Sequence, residues 1–388
     1  MAFAFVQLLI AQNNPCIVSI PDANFKNALM SHYPSIDYNA DGEIQCSEAE
    51  AFTGTIDVVS KNISDLTGIE AFINITGLKC GYNQITFLDV SANTALTTLG
   101  CWSNQLTSLD VSLNTALTHL ICQNNPLGTL DVSANTALIE LSCSANELTS
   151  LDVSANTALQ ILGCVWNDLT SLDLSTNTAL YTLSCMGNDL TSLDLSTNTA
   201  LQYLDCRDNL LTNLDLSTNT ALLNLDCSGN QLANLDLNVN TALQRVVCYQ
   251  NQLASLNIAN GNNGIMQRVN VLDNPNLICI QVDDADYSNT NWINEDFFKK
   301  PAGTSWSENC ALGTSDFETF KVAIYPNPTN GIVNLSEKAN ITVFDMQGRK
   351  IAESKNTTSF DLSSQTAGIY LAKITTEKGI EMFKIVKN

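Results

Sequence analysis

Apolar residues recur through the middle of this chain at a fixed interval. One copy places them at Leu96, Leu99, Cys101, Leu106, Leu109 and Val111, with Asn104 between them. The spacing L-x-x-L-x-C-x-x-N-x-L-x-x-L-x-V returns every 21 residues. Inward and outward positions alternate around L-x-C, which predicts a short strand. A repeat this small cannot bury its own apolar face, so neighbouring copies must stack with their strands in one parallel sheet.

The cysteines mark the period. They stand at Cys80, Cys101, Cys122, Cys143, Cys164, Cys185, Cys206, Cys227 and Cys248. The pattern resembles that of the leucine-rich repeats. It implies an α/β-type leucine-rich-repeat solenoid over residues 54–276, with about eleven coils and a mostly irregular convex side. We interpret the cysteines as small apolar core residues, because the chain has no C-x-x-C pair and only two histidines for a metal site.

Two polar columns follow the same period. An asparagine column runs from Asn83 and Asn104 to Asn274, and we expect each buried amide to bond main-chain groups, a structural role. An aspartate column comprises Asp89, Asp110, Asp131, Asp152, Asp173, Asp194, Asp215 and Asp236. Stacked carboxylates repel, so something must offset them. Each aspartate either caps the tight turn that follows it or shares a bound cation with its neighbours.

The charge balance excludes one class of partner. The chain of 388 residues has 39 acidic and 17 basic residues and a net charge of −22. Such a field repels phosphate, so we expect no nucleic acid partner. The first residues, MAFAFVQLLIAQ, are apolar and end in Ala-Gln. We interpret residues 1–12 as the end of a signal peptide cleaved near Ala11, although its positively charged start is missing.

A metal-binding signature precedes the repeats. Residues 37–48 read D-Y-N-A-D-G-E-I-Q-C-S-E, the spacing of an EF-hand loop. The predicted calcium ligands are Asp37, Asn39 and Asp41 through side chains, Glu43 through its carbonyl and Glu48 through both oxygens. Gly42 permits the sharp turn. The alternative is a polar turn that binds no metal. We assign residues 13–53 to an EF-hand-like cap that binds calcium.

Cysteines outside the repeat flank the two caps. Cys16 lies before the calcium loop and Cys46 within it, and Cys279 and Cys310 bracket an aromatic, acidic stretch. We expect this stretch, residues 277–312, to cover the last coil, and either cysteine pair to be able to form a disulfide in an exported protein. A linker at 313–320 follows.

The tail has a different composition. Lysine appears, the 21-residue period stops, and alternating segments separated by turn residues predict six or seven short strands in a β-sandwich at 321–388. Its motifs are Tyr325, Pro326, Asn327, Pro328 and Gly331, then Asp345, Gly348 and Lys350, then Ala367, Gly368, Tyr370 and Lys384. They resemble the type A C-terminal sorting domain of the type IX secretion system in Bacteroidota. The resemblance implies export by that machinery to the outer cell surface or the medium, and removal of the tail.

We expect the concave side of the solenoid to bind a partner. The predicted ligand residues are Tyr203, Arg207, Arg245, Tyr249, Arg268, Trp102 and Trp166, at outward strand positions near the cysteines. The arginines favour an acidic ligand. The expected protein is a monomeric, non-enzymatic adhesin or recognition module for a protein or a glycan.

Two other classes remain open. One is a structural surface-layer protein without a specific ligand. The other is a carbohydrate-active enzyme, because Glu140, Asp205 and Asp226 face the same side of the solenoid. The sequence has no nucleophile elbow, zinc-ligand spacing or phosphate loop, and we predict no catalytic residue.

Overall fold

The computed structural model describes residues 16–310, 322–376 and 379–388. The chain divides into two compact units after Cys310, and each is described by itself. The expected signal peptide at 1–12 and linker at 313–320 lie outside the described residues. No helix in the described ranges is both long enough and apolar enough to cross a membrane.

Two short helices open the first unit. They are α1, Ala23–Met30, and α2, Cys46–Ala51. Asp22 caps α1 by accepting from the N–H groups of Asn24 and Phe25, and its other oxygen accepts from the N–H of Ser64, which joins the cap to the first coil. A disulfide links Cys16 to Cys46.

The coils that follow are built on very short strands. In chain order they are β1 Thr55–Asp57, β2 Gly77–Lys79, β3 Thr98–Gly100, β4 His119–Ile121, β5 Glu140–Ser142, β6 Ile161–Gly163, β7 Thr182–Ser184, β8 Tyr203–Asp205, β9 Asn224–Asp226, β10 Asn234–Asp236, β11 Arg245–Val247, β12 Ser255–Asn257, β13 Arg268–Asn270, β14 Cys279–Gln281, β15 Phe298–Lys299 and β16 Ser305–Ser307. Single-turn 3-10 helices occur at Ile69–Ala71 and Asn263–Ile265.

These strands form two sheets. The larger has twelve strands in the order β1-β2-β3-β4-β5-β6-β7-β8-β9-β11-β13-β15, and the smaller has four, β10-β12-β14-β16. In the larger sheet β1 to β13 supply one strand from each of eleven coils, as the sequence predicted, and β15 comes from the terminal cap. All pairings in both sheets are parallel and in register, so a given repeat position forms a continuous row across the larger sheet.

The interior is a stack of leucine columns with the cysteines beside them. All nine repeat cysteines are unpaired and 0% exposed. Burial raises the pKa of the Cys101 and Cys164 thiols to about 12, so both remain neutral. The prediction that these cysteines are core residues is confirmed.

Buried asparagines join successive coils. Asn104 donates from Nδ2 to the carbonyls of Cys80 and Cys101, both at 3.0 Å, and its Oδ1 accepts from the N–H of Ile85 at 3.0 Å. This confirms the predicted role of the column. The structure adds a second column from the N-T-A segments, in which Asn114 donates to the carbonyls of Val90 and Asn93 at 2.9 Å. Its members, all 0% exposed, are Asn93, Asn114, Asn135, Asn156, Asn177, Asn198, Asn219 and Asn240.

The aspartate column makes the predicted turn-capping hydrogen bonds. The main-chain N–H of Ser112 donates to Asp110 Oδ1 at 2.9 Å, and the same bond recurs along the column. Hydrogen bonds from Ser112 lower the pKa of Asp110 below its ordinary value. Each carboxylate therefore stabilises its own turn.

The far end of the solenoid is closed by a small aromatic cap. Helix α3, Ala285–Asn291, precedes Trp292, whose ring stacks on Phe298 at 5.2 Å between centroids and meets Trp306 edge to face at 5.1 Å. A disulfide joins Cys279 to Cys310. The described part of the first unit thus has one continuous apolar core from Val18 to Trp306.

The described part of the second unit is an antiparallel sheet of five strands. They are β17 Ile324–Tyr325, β18 Ile332–Phe344, β19 Lys350–Asp361, β20 Gly368–Thr376 and β21 Gly379–Lys387. The order is β17-β18-β20-β21, with β19 also paired to β18. The prediction of six or seven short strands in a sandwich is wrong. The polar segment S-E-K-A-N continues β18 through irregular pairing with β19 instead of ending it.

Candidate functional site

The solvent-facing side of the twelve-stranded sheet, called the sheet face below, collects the predicted ligand residues. Its first row is the first residue of each strand and its second row is the third residue. The third row is the residue after each cysteine. Because the strands pair in register, residues in one row are neighbours on adjacent coils.

Three basic residues occupy neighbouring backbone positions at the end of this face. Arg245 and Arg268 are direct partners in the first row, as the sequence predicted. Lys299 of β15 pairs with Asn270 in the second row, next to Arg268. None of the three forms a salt bridge within the described residues, and Nε of Arg268 is buried without a hydrogen-bond partner there. We call Arg245, Arg268 and Lys299 the basic island.

Arg207 has an internal partner. Its Nε and Nη2 donate to the two oxygens of Asp205, each at 2.8 Å, and Nε lies 3.6 Å from Asp226. The hydrogen bond to Asp205 raises the pKa of Arg207 further, while desolvation raises the pKa of Asp226. Of the predicted ligand residues, Arg207 is thus the one whose charge is already compensated, and it fixes two carboxylates beside the basic island.

A shallow pocket lies between these charges. Its volume is about 240 Å³, and it is lined by Tyr203, Asp205, Arg207, Asn224, Asp226 and Arg245, among others. Tyr203 is 41% exposed, and Tyr249 is half-buried in the third row. The pocket therefore offers an aromatic ring and groups of both charges.

The predicted tryptophans lie elsewhere on the same face. Trp102 is in the third row beside β3, and Trp166 is two residues after Cys164, beside β6. They are six and three strands from β9, which lines the pocket. The structure thus divides the predicted ligand residues between two regions of the sheet face.

The predicted calcium loop adopts the turn its sequence requires. Gly42 has a left-handed backbone with φ +87°, and its N–H donates to Asp37 Oδ2 at 3.1 Å. Asn39 Oδ1 accepts from Asp41 N–H, and Asp41 Oδ1 accepts from Glu43 N–H, each at 2.9 Å. The side-chain oxygens at the first, third and fifth positions are therefore held by the loop's own backbone.

The fit to calcium is partial. Asp37 is 8% exposed and its Oδ1 is buried without a partner, as expected of an oxygen placed for a cation. Glu48 instead accepts from the N–H groups of Tyr38 and Gln45, at 2.9 and 3.0 Å, and caps α2. In the described ranges no three acidic, histidine or cysteine side chains converge as a metal site. Helix α1 also ends at Met30, seven residues before Asp37, so the unit is not a continuous helix-loop-helix.

Sequence reasoning missed two features of the sheet face. The 21-residue period stops after Asn274. Lys299 lies beyond that point, so the repeat spacing could not assign it to a row of the sheet face. Gly81, Gly100 and Gly187 hold the indoles of Trp102 and Trp166, a relation visible only once adjacent coils are in register. In an alignment of the repeats, a glycine at a position next to an outward tryptophan could have indicated that the glycine leaves space for the indole ring.

Comparison with protein families identifies the C-terminal domain. A family model described as the secretion system C-terminal sorting domain matches residues 323–388. These residues are a type IX secretion sorting domain. The chain is therefore exported, to the outer cell surface or the medium. In the domain, Asn327 is bonded to Lys384 and Val386 on β21, and Asp345 caps the β18–β19 turn.

Solved structures support the fold of the first unit. The functional domain of InlJ from Listeria monocytogenes, which includes a cysteine ladder, is 27% identical, with a TM-score of 0.53 over 89% of this chain and 93% of that one. An internalin, InlF, from the same species is 21% identical, with a TM-score of 0.57 over 71% and 88%. A leucine-rich-repeat protein of Leptospira interrogans is 21% identical, with a TM-score of 0.50 over 57% and 64%.

The chain is thus exported, and its first unit has a leucine-rich-repeat-like solenoid fold. No curated protein matches it significantly in sequence. None of the three structures above is named as an enzyme.

Proposed function

We propose that this protein is an adhesin-like recognition protein that binds an acidic partner, a protein or a glycan, at the basic island. The observation that carries the proposal is the register of β11 and β13, which places Arg245 beside Arg268 with Lys299 next to them. In a chain of net charge −22, three adjacent cations without salt bridges in the described residues are an unusual local field.

The energetics favour an anionic ligand. Adjacent strands are about 4.8 Å apart, so two unpaired guanidinium groups in one row repel each other. A carboxylate or sulfate between them removes this repulsion and gains charge-assisted, bidentate hydrogen bonds. The surrounding negative field makes the island the place where an acidic partner is attracted rather than repelled. Tyr203 and Tyr249 add aromatic contact area of the kind common in binding hot spots.

The test is an array of acidic peptides and uronic-acid oligosaccharides, followed by titration of the full chain with the best ligand. Arg245→Ser combined with Arg268→Ser should weaken binding by about 1.5–3 kcal/mol for each lost contact, and added salt should weaken the wild type. Lys79→Ser is the matched control, because Lys79 is an exposed cation on the same sheet at β2. Equal affinity of the double variant would mean that the ligand binds outside the basic island, and the absence of any acidic ligand from the array would overturn the proposal of an acidic partner.

A second part of the proposal concerns calcium. The partnerless Asp37 Oδ1 and the ordered oxygens of Asn39 and Asp41 support a calcium ion in this loop, with Glu43 supplying its carbonyl. Glu48 would have to turn one oxygen from its main-chain partners toward the ion. A single site of this kind would order the cap rather than act as a switch.

A further inference from the structure

The indole of Trp102 lies flat on the sheet face. A β-carbon added at Gly81, on the preceding coil, would overlap the ring at Cε2, and one added at Gly100 would lie 2.5 Å from Cζ3. Both glycines therefore leave the space in which the ring rests. Tyr82 stands beside it, edge to face, with 6.2 Å between ring centroids. The half-buried indole is held against two backbone segments as a flat surface rather than inserted into the core.

Trp166, one residue beyond the third row, also rests on a glycine. A β-carbon at Gly187, on the following coil, would lie 2.6 Å from Cε3 of the ring. The side chain is nevertheless 58% exposed, which is unusual for the largest apolar residue type. Burial therefore does not account for this tryptophan, whereas a ligand that covers its free surface would.

The two indoles define a track of fixed length. Trp102 lies between the coils of β2 and β3, and Trp166 lies between those of β6 and β7, so the rings are four strands apart. At about 4.8 Å for each strand the separation is roughly 19 Å. An occupant that contacts both rings is therefore an extended chain of several units.

The second and third rows between the rings carry no formal charge. The second row carries Gly100, Ile121, Ser142 and Gly163, and the third carries Gln123, Ser144 and Val165. The side-chain amide of Gln123 makes no hydrogen bond within the part of the chain that the structure describes. In the first row between the rings, Glu140 carries a formal charge, and it is the first residue of β5.

We propose that this track, from Trp102 to Trp166, binds an uncharged glycan chain. The apolar face of a sugar ring fits a flat aromatic ring, and its hydroxyl groups need the amide and hydroxyl partners that Gln123, Ser142 and Ser144 supply. The absence of cations along these two rows disfavours an anionic glycan. The inference rests on the proposed function only in taking the sheet face as the binding surface, since it uses none of the basic island.

The experiment is a titration of the full chain with neutral β-glucan, xylan and mannan oligosaccharides of two to eight sugar units. Tryptophan emission is a direct readout, because the chain has four tryptophans and the other two, Trp292 and Trp306, are buried at 6% and 7% exposure. We expect affinity to rise with oligosaccharide length until both rings are covered. Trp102→Ala and Trp166→Ala should each weaken binding of the longest oligosaccharide by roughly 10-fold.

Substitution of glycines tests whether the position of the Trp102 ring matters for binding. Gly100→Ala would displace the Trp102 ring without removing it and should weaken binding. Gly264→Ala is the control, because this glycine lies outside the track and its added β-carbon would meet only Tyr287 Oη at 3.9 Å. The Gly264 variant should bind as the wild type does.

The outcomes separate this proposal from the basic island. Binding of a neutral oligosaccharide that is lost in the tryptophan variants and retained in the Arg245→Ser, Arg268→Ser protein supports the track, even if no acidic ligand is found. Failure of every neutral oligosaccharide to bind overturns it. Wild-type affinity in both tryptophan variants also overturns it, whatever the basic island binds.

Discussion

At the residue scale, the repeat cysteines have an unusual chemical state for an exported protein. Nine thiols lie in one column in an oxidising environment, yet each is completely buried and none is paired. Neighbouring thiols cannot reach an oxidant while the coils are stacked. Their protection is therefore a property of the fold and not of any single site.

Alkaline pH should expose this property. Burial raises the pKa of Cys101 and Cys164 from 9.0 to about 12 in the folded chain. A group whose pKa is raised by folding stabilises the folded state below its unfolded pKa, and this contribution is lost as the pH rises toward the folded value. We expect the thermal midpoint of the solenoid to fall as pH increases from 9 to 12, measured by circular dichroism.

Valine provides the control. Val58 and Val271 occupy the cysteine position in the first and last coils, so the column already accepts this side chain. Cys101→Val and Cys164→Val should fold and should reduce the alkaline loss of stability. Rapid labelling of the native wild type by a thiol reagent at pH 8 would contradict the explanation.

Calcium binding is tested most cleanly at Asp37. Glu48→Ala would remove the cap of α2 as well as a ligand, so its loss of stability is ambiguous. Asp37→Asn keeps an acceptor for the Gly42 N–H but removes the charge. With a dissociation constant of about 10⁻⁴–10⁻³ M, 10 mM calcium should stabilise the wild-type cap by about 1.4–2.7 kcal/mol, and the variant by less. Identical melting curves of the wild type in calcium and in chelator would defeat the proposal.

At the element scale, the structure of the coil was predictable because the same 21-residue motif recurs along the chain. Strand, cysteine column and asparagine column follow from spacing alone, since each coil has the same neighbours. The second asparagine column was not predicted, although Asn114 and its equivalents are as regular as Asn104. Its partners are carbonyls of the preceding coil, and such contacts depend on how tightly two turns approach.

The tail shows the opposite case. The β18 strand passes through Ser336 to Asn340, a polar run that resembles a loop when read by itself. Pairing with β19 on one side and with β17 or β20 on the other keeps it extended. Local composition could not show this, because long-range partners supply the hydrogen bonds.

The terminal cap should depend on its disulfide. Cys279 and Cys310 are 31 residues apart, and opening a loop of this length removes about 3–4 kcal/mol in the chain-entropy treatment. In the variant Cys279→Ser, Cys310→Ser we expect faster amide hydrogen exchange in β13 to β16 and little change in β3 to β6, because repeat coils contact only their neighbours. The paired substitution of Cys16 and Cys46 is the matched control, with its effect at the other end. Uniform acceleration along the solenoid would contradict local coupling.

At the scale of the whole molecule, the sorting domain determines where the chain acts. Deleting residues 323–388 should leave the repeat unit in the periplasm, because the matched family model covers this segment. Cell fractionation with an antibody to the repeats is the measurement. A variant with Gly331→Ala, which would place a β-carbon against Ser363, tests whether the folded domain rather than its mere presence is needed. Surface display of the deletion variant would contradict the assignment.

Because the strands pair in register, the distance between two contact points on the sheet face is set by the number of repeats between them. From β2 to β11 successive coils are 21 residues long and share a leucine and cysteine core, so gain or loss of one such unit there leaves the packing of its neighbours unchanged. On the sheet face the same event moves Trp166 relative to Trp102 by about 4.8 Å, roughly one strand spacing. Unequal recombination between near-identical repeats can therefore lengthen or shorten the distance between two contact points in uniform steps, without any substitution in the side chains that make those contacts.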